Sequence, residues 1–231
     1  MRSDEAIVLA GGFGTRLRSL VSDVPKPMAP VAGRPFLEWI LLRLEREGIH
    51  RVVLATGYMS EKIEQTLGGR FGSMELVYSV EDAPLGTGGA IAHAARHVKG
   101  RGVHVVNGDT FLEYSLAEME ALVQGDGGLG MALAKVEDVH RYGAISLEEG
   151  RVRSFHEKGD RGPGWINAGC YYLPESLLGS LPSGSFSFEA QVLAPAAVAG
   201  NVMGLTRTKG FIDIGVPEDY VRSQTIFGAE P

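Results

Sequence analysis

Ala6-Ile7-Val8-Leu9-Ala10 runs directly into Gly11-Gly12-Phe13-Gly14-Thr15-Arg16, with Pro25-Lys26-Pro27-Met28 a short way downstream. A buried strand delivering a glycine-rich loop is how an α/β protein brings bare backbone N–H groups against phosphate oxygens. Arg16 and Lys26 add fixed positive charge where a polyphosphate would lie. The competing reading, a turn that uses glycine only for backbone freedom, leaves the arginine and the proline-flanked lysine unexplained. Elimination narrows the loop type. No G-x-x-x-x-G-K-[ST] string follows a predicted strand. A dinucleotide fingerprint needs a third glycine, and Leu17 stands in its place; the expected second strand, Arg51 to Ala55, ends in Thr56-Gly57-Tyr58 with no carboxylate for a ribose.

The rest of the chain supplies the layout. Residues 5–10 read as a buried strand, and Pro35 to Gly48 as a helix with Leu37, Ile40, Leu41 and Leu44 on one face. Strand 51–55, helix 60–67, strand 74–80, helix 88–98 and the apolar strand Val103 to Val106 follow. Such alternation predicts βαβ units and a mostly parallel sheet. From about residue 128 shorter β segments take over, at 129–136, 142–147, 151–156 and 165–172, which predicts a mixed extension of the sheet. A last helix opens at Pro217-Glu218-Asp219, with proline in the first turn and acids against the positive helix end. Its Tyr220, Val221, Ile226 and Phe227 could serve either the core or a homodimer contact.

Bulk properties bound the class. The 231 residues, 44% of them apolar, suffice for one sizeable core. A net charge of −6 argues against nonspecific nucleic-acid binding. Cys170 is the single cysteine, which excludes an intrachain disulfide and a cysteine-based zinc site. No run is apolar enough for a signal peptide or a membrane span, so the expectation is a soluble, cytoplasmic protein with no membrane partner.

Three features carry chemistry. Asp109, in Asn107-Gly108-Asp109, follows a strongly apolar strand, which places its carboxylate at the mouth of a site in an open α/β sheet. Asp213 ends the short apolar segment Phe211-Ile212-Asp213, and two remote carboxylates meeting at one edge would suit Mg²⁺, which takes a few carboxylates plus phosphate and water. Glu81, just past strand 74–80, could read a base edge: guanine offers N1–H and an amino group, both donors, whereas uracil and thymine offer one ring donor. His93 and His97 have metal spacing but lack the glutamate of H-E-x-x-H and a third ligand, and read as a solvated helix face. The run from Trp39 to Leu44 reads as core.

The string L-A-G-G-F-G-T-R-L followed by P-K-P-M resembles the signature of the sugar-1-phosphate nucleotidylyltransferases. In order, Glu81 to Ala90, Asn107-Gly108-Asp109-Thr110, Arg141-Tyr142-Gly143, Phe155-His156-Glu157-Lys158, Asn167-Ala168-Gly169 and Asp213-Ile214-Gly215 match as well, and together they span nearly the whole chain. Within the family, P-L-G-T-G-G-A and F-I-D-I-G-V-P-E-D-Y are most similar to the short bacterial heptose 1-phosphate guanylyltransferases. The resemblance implies a single Rossmann-like, three-layer α/β/α nucleotidyltransferase domain over residues 1–231. Its nucleotide-binding half would be mainly 1–127 and its sugar-phosphate-binding half mainly 128–231. No C-terminal β-helix is expected, because no hexapeptide repeat is visible.

It also implies the site. Arg16 would hold the β- and γ-phosphates, and Lys26 would bridge toward the α-phosphate and the incoming sugar phosphate. Asp109 and Asp213 would share Mg²⁺. The base and ribose would lie against Leu9, Ala10, Gly11 and Gly12, with Gly14 and Thr15 completing the phosphate loop and Glu81, Gly86, Thr87 and Gly88 the base-side loop. Gly143, Glu157, Lys158 and Asn167 would take the sugar phosphate. The implied partners are a nucleoside triphosphate, GTP favoured, and a sugar 1-phosphate of heptose or mannose type, with a product feeding capsule, lipopolysaccharide or other surface glycan. Two alternatives stay open: the same chemistry with UTP or dTTP, and a catalytically silent domain that senses nucleotide sugars.

Overall fold

A computed structural model of the chain describes residues 2–12, 24–124, 128–156 and 158–229. The first half opens with β1 (Glu5–Leu9), the two-residue hairpin strands β2 (Pro30–Val31) and β3 (Arg34–Pro35), and α1 (Phe36–Arg46). There follow β4 (Arg51–Thr56), α2 (Ser60–Leu67), β5 (Arg70–Phe71), β6 (Met74–Val80), α3 (Gly86–Ala95) and β7 (Gly102–Asn107). Next come β8 (Thr110–Glu113), α4 (Leu116–Val123), β9 (Leu129–Val136), β10 (Ile145–Glu148), β11 (Arg151–Phe155) and β12 (Gly164–Pro174). The chain closes with α5 (Glu175–Leu178), a π-helical turn (Glu189–Leu193), α6 (Ala194–Val198), β13 (Val202–Leu205), β14 (Lys209–Asp213) and α7 (Pro217–Gly228).

Among the described residues ten strands form one mixed sheet in the order β10-β11-β13-β9-β12-β7-β1-β4-β6-β5. The βαβ pattern yields parallel pairing of β1 with β4 and β7, and of β4 with β6. In the second half β12 runs antiparallel to both β7 and β9, while β9 and β13 are parallel. Side chains of β1 alternate between faces: Ala6 and Val8 join one apolar cluster with Leu37, Ile63, Met119 and Phe227, and Ile7 joins another with Ile91, Leu193 and Ala197. Helices therefore cover the sheet on both sides, which is what a near-continuous apolar strand requires.

The expected ends shift where local chemistry overrides periodicity. The first helix stops at Arg46; Gly48, at φ +90°, donates to the Glu45 carbonyl and Ile49 to that of Leu44, so the glycine closes a left-handed Schellman cap. Helix 88–98 is α3, which begins at Gly86 and ends at Ala95. The β segment expected at 142–147 begins only at Ile145, because Tyr142 and Gly143 both donate to the Val139 carbonyl and form a turn. Residues 110–123, to which the sequence reading assigns no element, form β8 and α4; Ser115 accepts from the Glu118 amide, the capping signal S-L-A-E, and Leu116, Met119 and Val123 form the buried apolar face.

Trp39 packs as core, stacked on Phe227 at 4.8 Å, with Phe36 and Phe111 edge-on to the same ring. In α7 the apolar residues divide: Phe227 is buried, whereas Val221 and Ile226 are exposed. Replacing Phe227 with Ala should cost about 3–5 kcal/mol, since the cavity would open among three rings that cannot collapse together. Urea unfolding monitored by tryptophan fluorescence measures it, and a loss below about 1 kcal/mol would show that α7 is not held through this ring.

Candidate active site

The strand register builds the site. In the β8–β14 pair Asp213 lies opposite Thr110, and the Ile214 amide donates to the Asp109 carbonyl at 3.1 Å. Residues more than a hundred positions apart in sequence are thereby fixed side by side. Lys26, at the start of a 3₁₀ turn between two prolines, reaches both acids: its Nζ lies 2.5 Å from Asp109 Oδ2 and 3.7 Å from Asp213 Oδ1. Thr110 Oγ1 donates to the other oxygen of Asp109, and the Gly215 amide to Asp213 Oδ1. The Asp213 carboxyl is pushed above the usual carboxylate range, first by burial and then by the charge of Asp109, with Lys26 opposing.

One ammonium between two carboxylates leaves a net negative charge, and the donor set suits a divalent cation. No group of three or more His, Cys, Asp and Glu side chains with metal-binding geometry occurs among the described residues. A metal here would complete its shell with phosphate oxygens and water, the usual arrangement for Mg²⁺.

Two cavities meet at this cluster. The larger, about 560 Å³, is lined among others by Leu9, Gly11, Glu81, Gly86 and Thr87. The smaller, about 360 Å³, is lined by Tyr142, Asn167, Gly169, Phe211 and Asp213. Gly12, Lys26, Asn107 and Asp109 line both. The described lining of the larger cavity comes only from residues 9–109, while the smaller draws on both halves. No histidine lines either cavity among the described residues.

On the larger cavity's wall, Glu81 Oε2 accepts the Leu85 amide at 3.0 Å, while Oε1 lies toward Gly11. The carboxylate thus holds the loop that starts α3 and keeps its second oxygen toward the cavity. A Cβ at Gly11 would lie 3.3 Å from the Gly57 amide, a tight fit that the neighbouring backbone would have to relieve by a few tenths of an ångström.

Several expected site residues take other places. Ala10 is buried, its amide donating to the Ala55 carbonyl. Gly88 lines neither cavity; a Cβ there would overlap the Phe186 ring, so its smallness serves packing, not access to a base. Lys158 is exposed and also lines neither cavity. Gly143 lines neither, although its neighbour Tyr142 does. His93 is not merely solvated: its Nδ1 and Ser79 Oγ share a hydrogen bond at 2.8 Å. Gly14, Thr15, Arg16 and Glu157 lie outside the described residues.

Asn107 and Gly215 were not singled out by their sequence signals. Asn107 closes the strand ahead of Gly108-Asp109 and faces both cavities, a position its N-G-D string marks. Gly215 makes room for Lys26, whose ammonium a Cβ would overlap.

The nucleotidyl transferase family profile matches residues 5–227, and the chain belongs to that family. It is 41% identical over 223 residues to the D-glycero-alpha-D-manno-heptose 1-phosphate guanylyltransferase of Aneurinibacillus thermoaerophilus, covering 95% of this chain and 96% of that one. It is 36% identical to the mannose-1-phosphate guanylyltransferase of Mycobacterium tuberculosis, covering 94% of this chain and 63% of the relative. Among solved structures, HddC from Yersinia pseudotuberculosis complexed with GMP-PN superposes with a TM-score of 0.85 at 35% identity, covering 96% of this chain and 99% of that one.

Gly215→Ala tests the geometry. The colliding atoms, Lys26 Nζ and Asp213 Oδ1, are both side-chain ends, so the fold should survive with the pair displaced. Turnover should fall about a hundredfold, the usual cost of losing one preorganised charge, with an unfolding midpoint close to wild type. Wild-type turnover in a folded variant would mean that Lys26 need not sit between the acids.

Proposed function

We propose that this protein transfers the guanylyl group of GTP to a sugar 1-phosphate, D-glycero-α-D-manno-heptose 1-phosphate or a mannose-type 1-phosphate, releasing pyrophosphate. The observation that carries the reading is the junction of two cavities at Lys26 and Asp109, one walled by the strand-and-glycine loop and Glu81, the other by Asn167 and Tyr142. A nucleotide and a sugar phosphate placed in them would have their phosphates meet at Lys26 and Asp109, the only charged groups among the described residues that line both. Membership of the nucleotidyl transferase family and the names of the relatives support it.

The chemistry asks little of the protein in the way of proton transfer. A phosphate monoester has a second pKa of about 6 and is largely dianionic at neutral pH. One of its oxygens attacks the α-phosphorus in line; that P–O bond forms as the bond from the α-phosphorus to the bridging oxygen breaks, and the electron pair leaves with pyrophosphate. No general base is needed, in keeping with cavities that no described histidine lines. Catalysis is then positioning and charge stabilisation. Lys26 orients the α-phosphate and the incoming phosphate. Asp109 and Asp213 would hold Mg²⁺, which when bound supplies positive charge to the polyphosphate. Arg16 would take the β- and γ-phosphates and Glu157 the sugar hydroxyls. Glu81 would accept from guanine N1–H and the amino group through the oxygen that the Leu85 amide leaves uncommitted.

This reading takes the domain as a three-layer α/β/α unit, with residues 1–127 mainly serving the nucleotide and 128–231 mainly the sugar phosphate. It places the protein in the cytoplasm, supplying surface-glycan synthesis. Among the described residues no helix is long and apolar enough to cross a membrane. The exposed Val221 and Ile226 of α7 are the apolar surface that a homodimer would bury.

Incubation with Mg²⁺, each triphosphate and a panel of sugar 1-phosphates should release pyrophosphate with GTP and a heptose or mannose 1-phosphate. Preference for UTP or dTTP would overturn the guanine assignment, and nucleotide binding without turnover by any pair would point to a sensor. Asp109→Asn should lose at least about a hundredfold in rate while the fold stays intact; near-normal turnover would remove Asp109 from the reaction.

A further inference from the structure

A second polar cluster lies behind the nucleotide cavity. Glu189, first residue of the π-helical turn, accepts the Thr87 hydroxyl proton at 2.6 Å and that of Ser187 at 3.0 Å, both on Oε2. Each hydroxyl is also used as an acceptor: the Phe188 amide donates to Thr87 Oγ1 at 3.0 Å, and the Ala190 amide to Ser187 Oγ at 3.2 Å. Both hydroxyls are thereby aimed with their single proton toward one oxygen. An acceptor-only carboxylate can take both without offering a competing proton.

The backbone around this contact is keyed to the same segment. Phe186 donates to the Leu85 carbonyl at 2.9 Å and accepts from the Gly88 amide at 3.0 Å. Cβ atoms would clash at three neighbouring positions: at Gly86, which adopts φ +68°, with the Phe186 carbonyl; at Gly88 with its ring; and at Gly89 with the Gly184 carbonyl. The loop from Pro84 to Thr87 that walls the larger cavity is held by Glu81 at the Leu85 amide, and its other side has no clearance of its own. It is seated on residues 184–189, a hundred positions downstream, and Thr87–Glu189 is the side-chain bond that closes the seat.

We propose that Glu189 is a positioning residue for the nucleotide: through Thr87 it sets the loop against which the base and ribose lie, without touching the reacting atoms. The inference rests on the nucleotidyl-transfer reading for what the loop binds, and on the hydrogen bonds alone for how the loop is held. The same carboxylate also acts on Tyr171, a hydrogen-bond partner of Asn167 in the smaller cavity's lining. Its charge adds to burial in raising the pKa of the Tyr171 hydroxyl, which accepts from Asn167 Nδ2 at 2.8 Å in the smaller cavity's wall.

Glu189→Ala should raise the KM for the triphosphate about tenfold and leave kcat, and the KM for the sugar phosphate, within about threefold. In the nucleotide-free protein, hydrogen exchange of the Leu85, Gly88, Gly89 and Phe186 amides should speed up at least about tenfold. Glu189→Gln keeps an acceptor oxygen at the same reach and should behave as wild type in both assays. Thr87→Val removes the same bond from the other side and should reproduce the alanine variant, which serves if Glu189→Ala does not fold. The double variant should be no worse than either single one. A fall in kcat at constant KM, or unchanged exchange in both variants, would overturn the proposal. Accelerated exchange in a protein that turns over no triphosphate would retain the loop-holding role and reject the reaction instead.

Discussion

Everything at the site depends on the register of a two-strand ribbon. Pairing Asp213 with Thr110 sets two carboxylates at one edge of the sheet, and only a cation between them makes that arrangement tolerable. Lys26 supplies one unit of positive charge against two of negative. Burial first, and the charge of Asp109 after it, leave Asp213 with a raised pKa, and the imbalance gives the cluster an appetite for further positive charge. A polyphosphate, itself anionic, has the same demand, so on the proposed reading a divalent cation bound between them would satisfy both. A surplus of fixed lysines and arginines would bind nucleotide well enough, but would hold the product pyrophosphate as tightly.

Small residues around the cluster act by what they leave empty. Gly215 gives Lys26 its position, Gly108 lets the turn approach the Leu9 carbonyl, and Gly169 accommodates the Asn107 amide. Gly86, Gly88 and Gly89 instead give up their space to the segment at 184–186. The two uses look identical in a string of letters. In the structure the first set shapes the cavities and the second fastens a wall.

What was legible in the sequence follows from the range of the forces involved. The apolar strands, the amphipathic face of α1, the proline-led start of α7 and the nearness of Asp109 to a strand end are local signals, and the structure carries each of them. That Asp109 and Asp213 share a site came from the match of motifs; the register that achieves it is a tertiary fact. The burial of Gly88, the outward position of Lys158 and the seat beneath Thr87 depend on partners as many as a hundred residues away, and no local pattern encodes them. The elements β8 and α4 differ in being short: the cap at Ser115 and the face of Leu116, Met119 and Val123 are local marks that span about two turns.

The eleven-residue β12 is paired with β7 on one side and with β9 on the other, and so splices the parallel first half to the later strands. Remove it and Val103 and Val105, now wholly enclosed, would face an open sheet edge. The two halves to which the proposed function assigns the two substrates are thus not independent folding units. Fragments cut between them would be poor candidates for reassembly, and recombination that swaps the second half for another must carry this strand's pairing partners along with it.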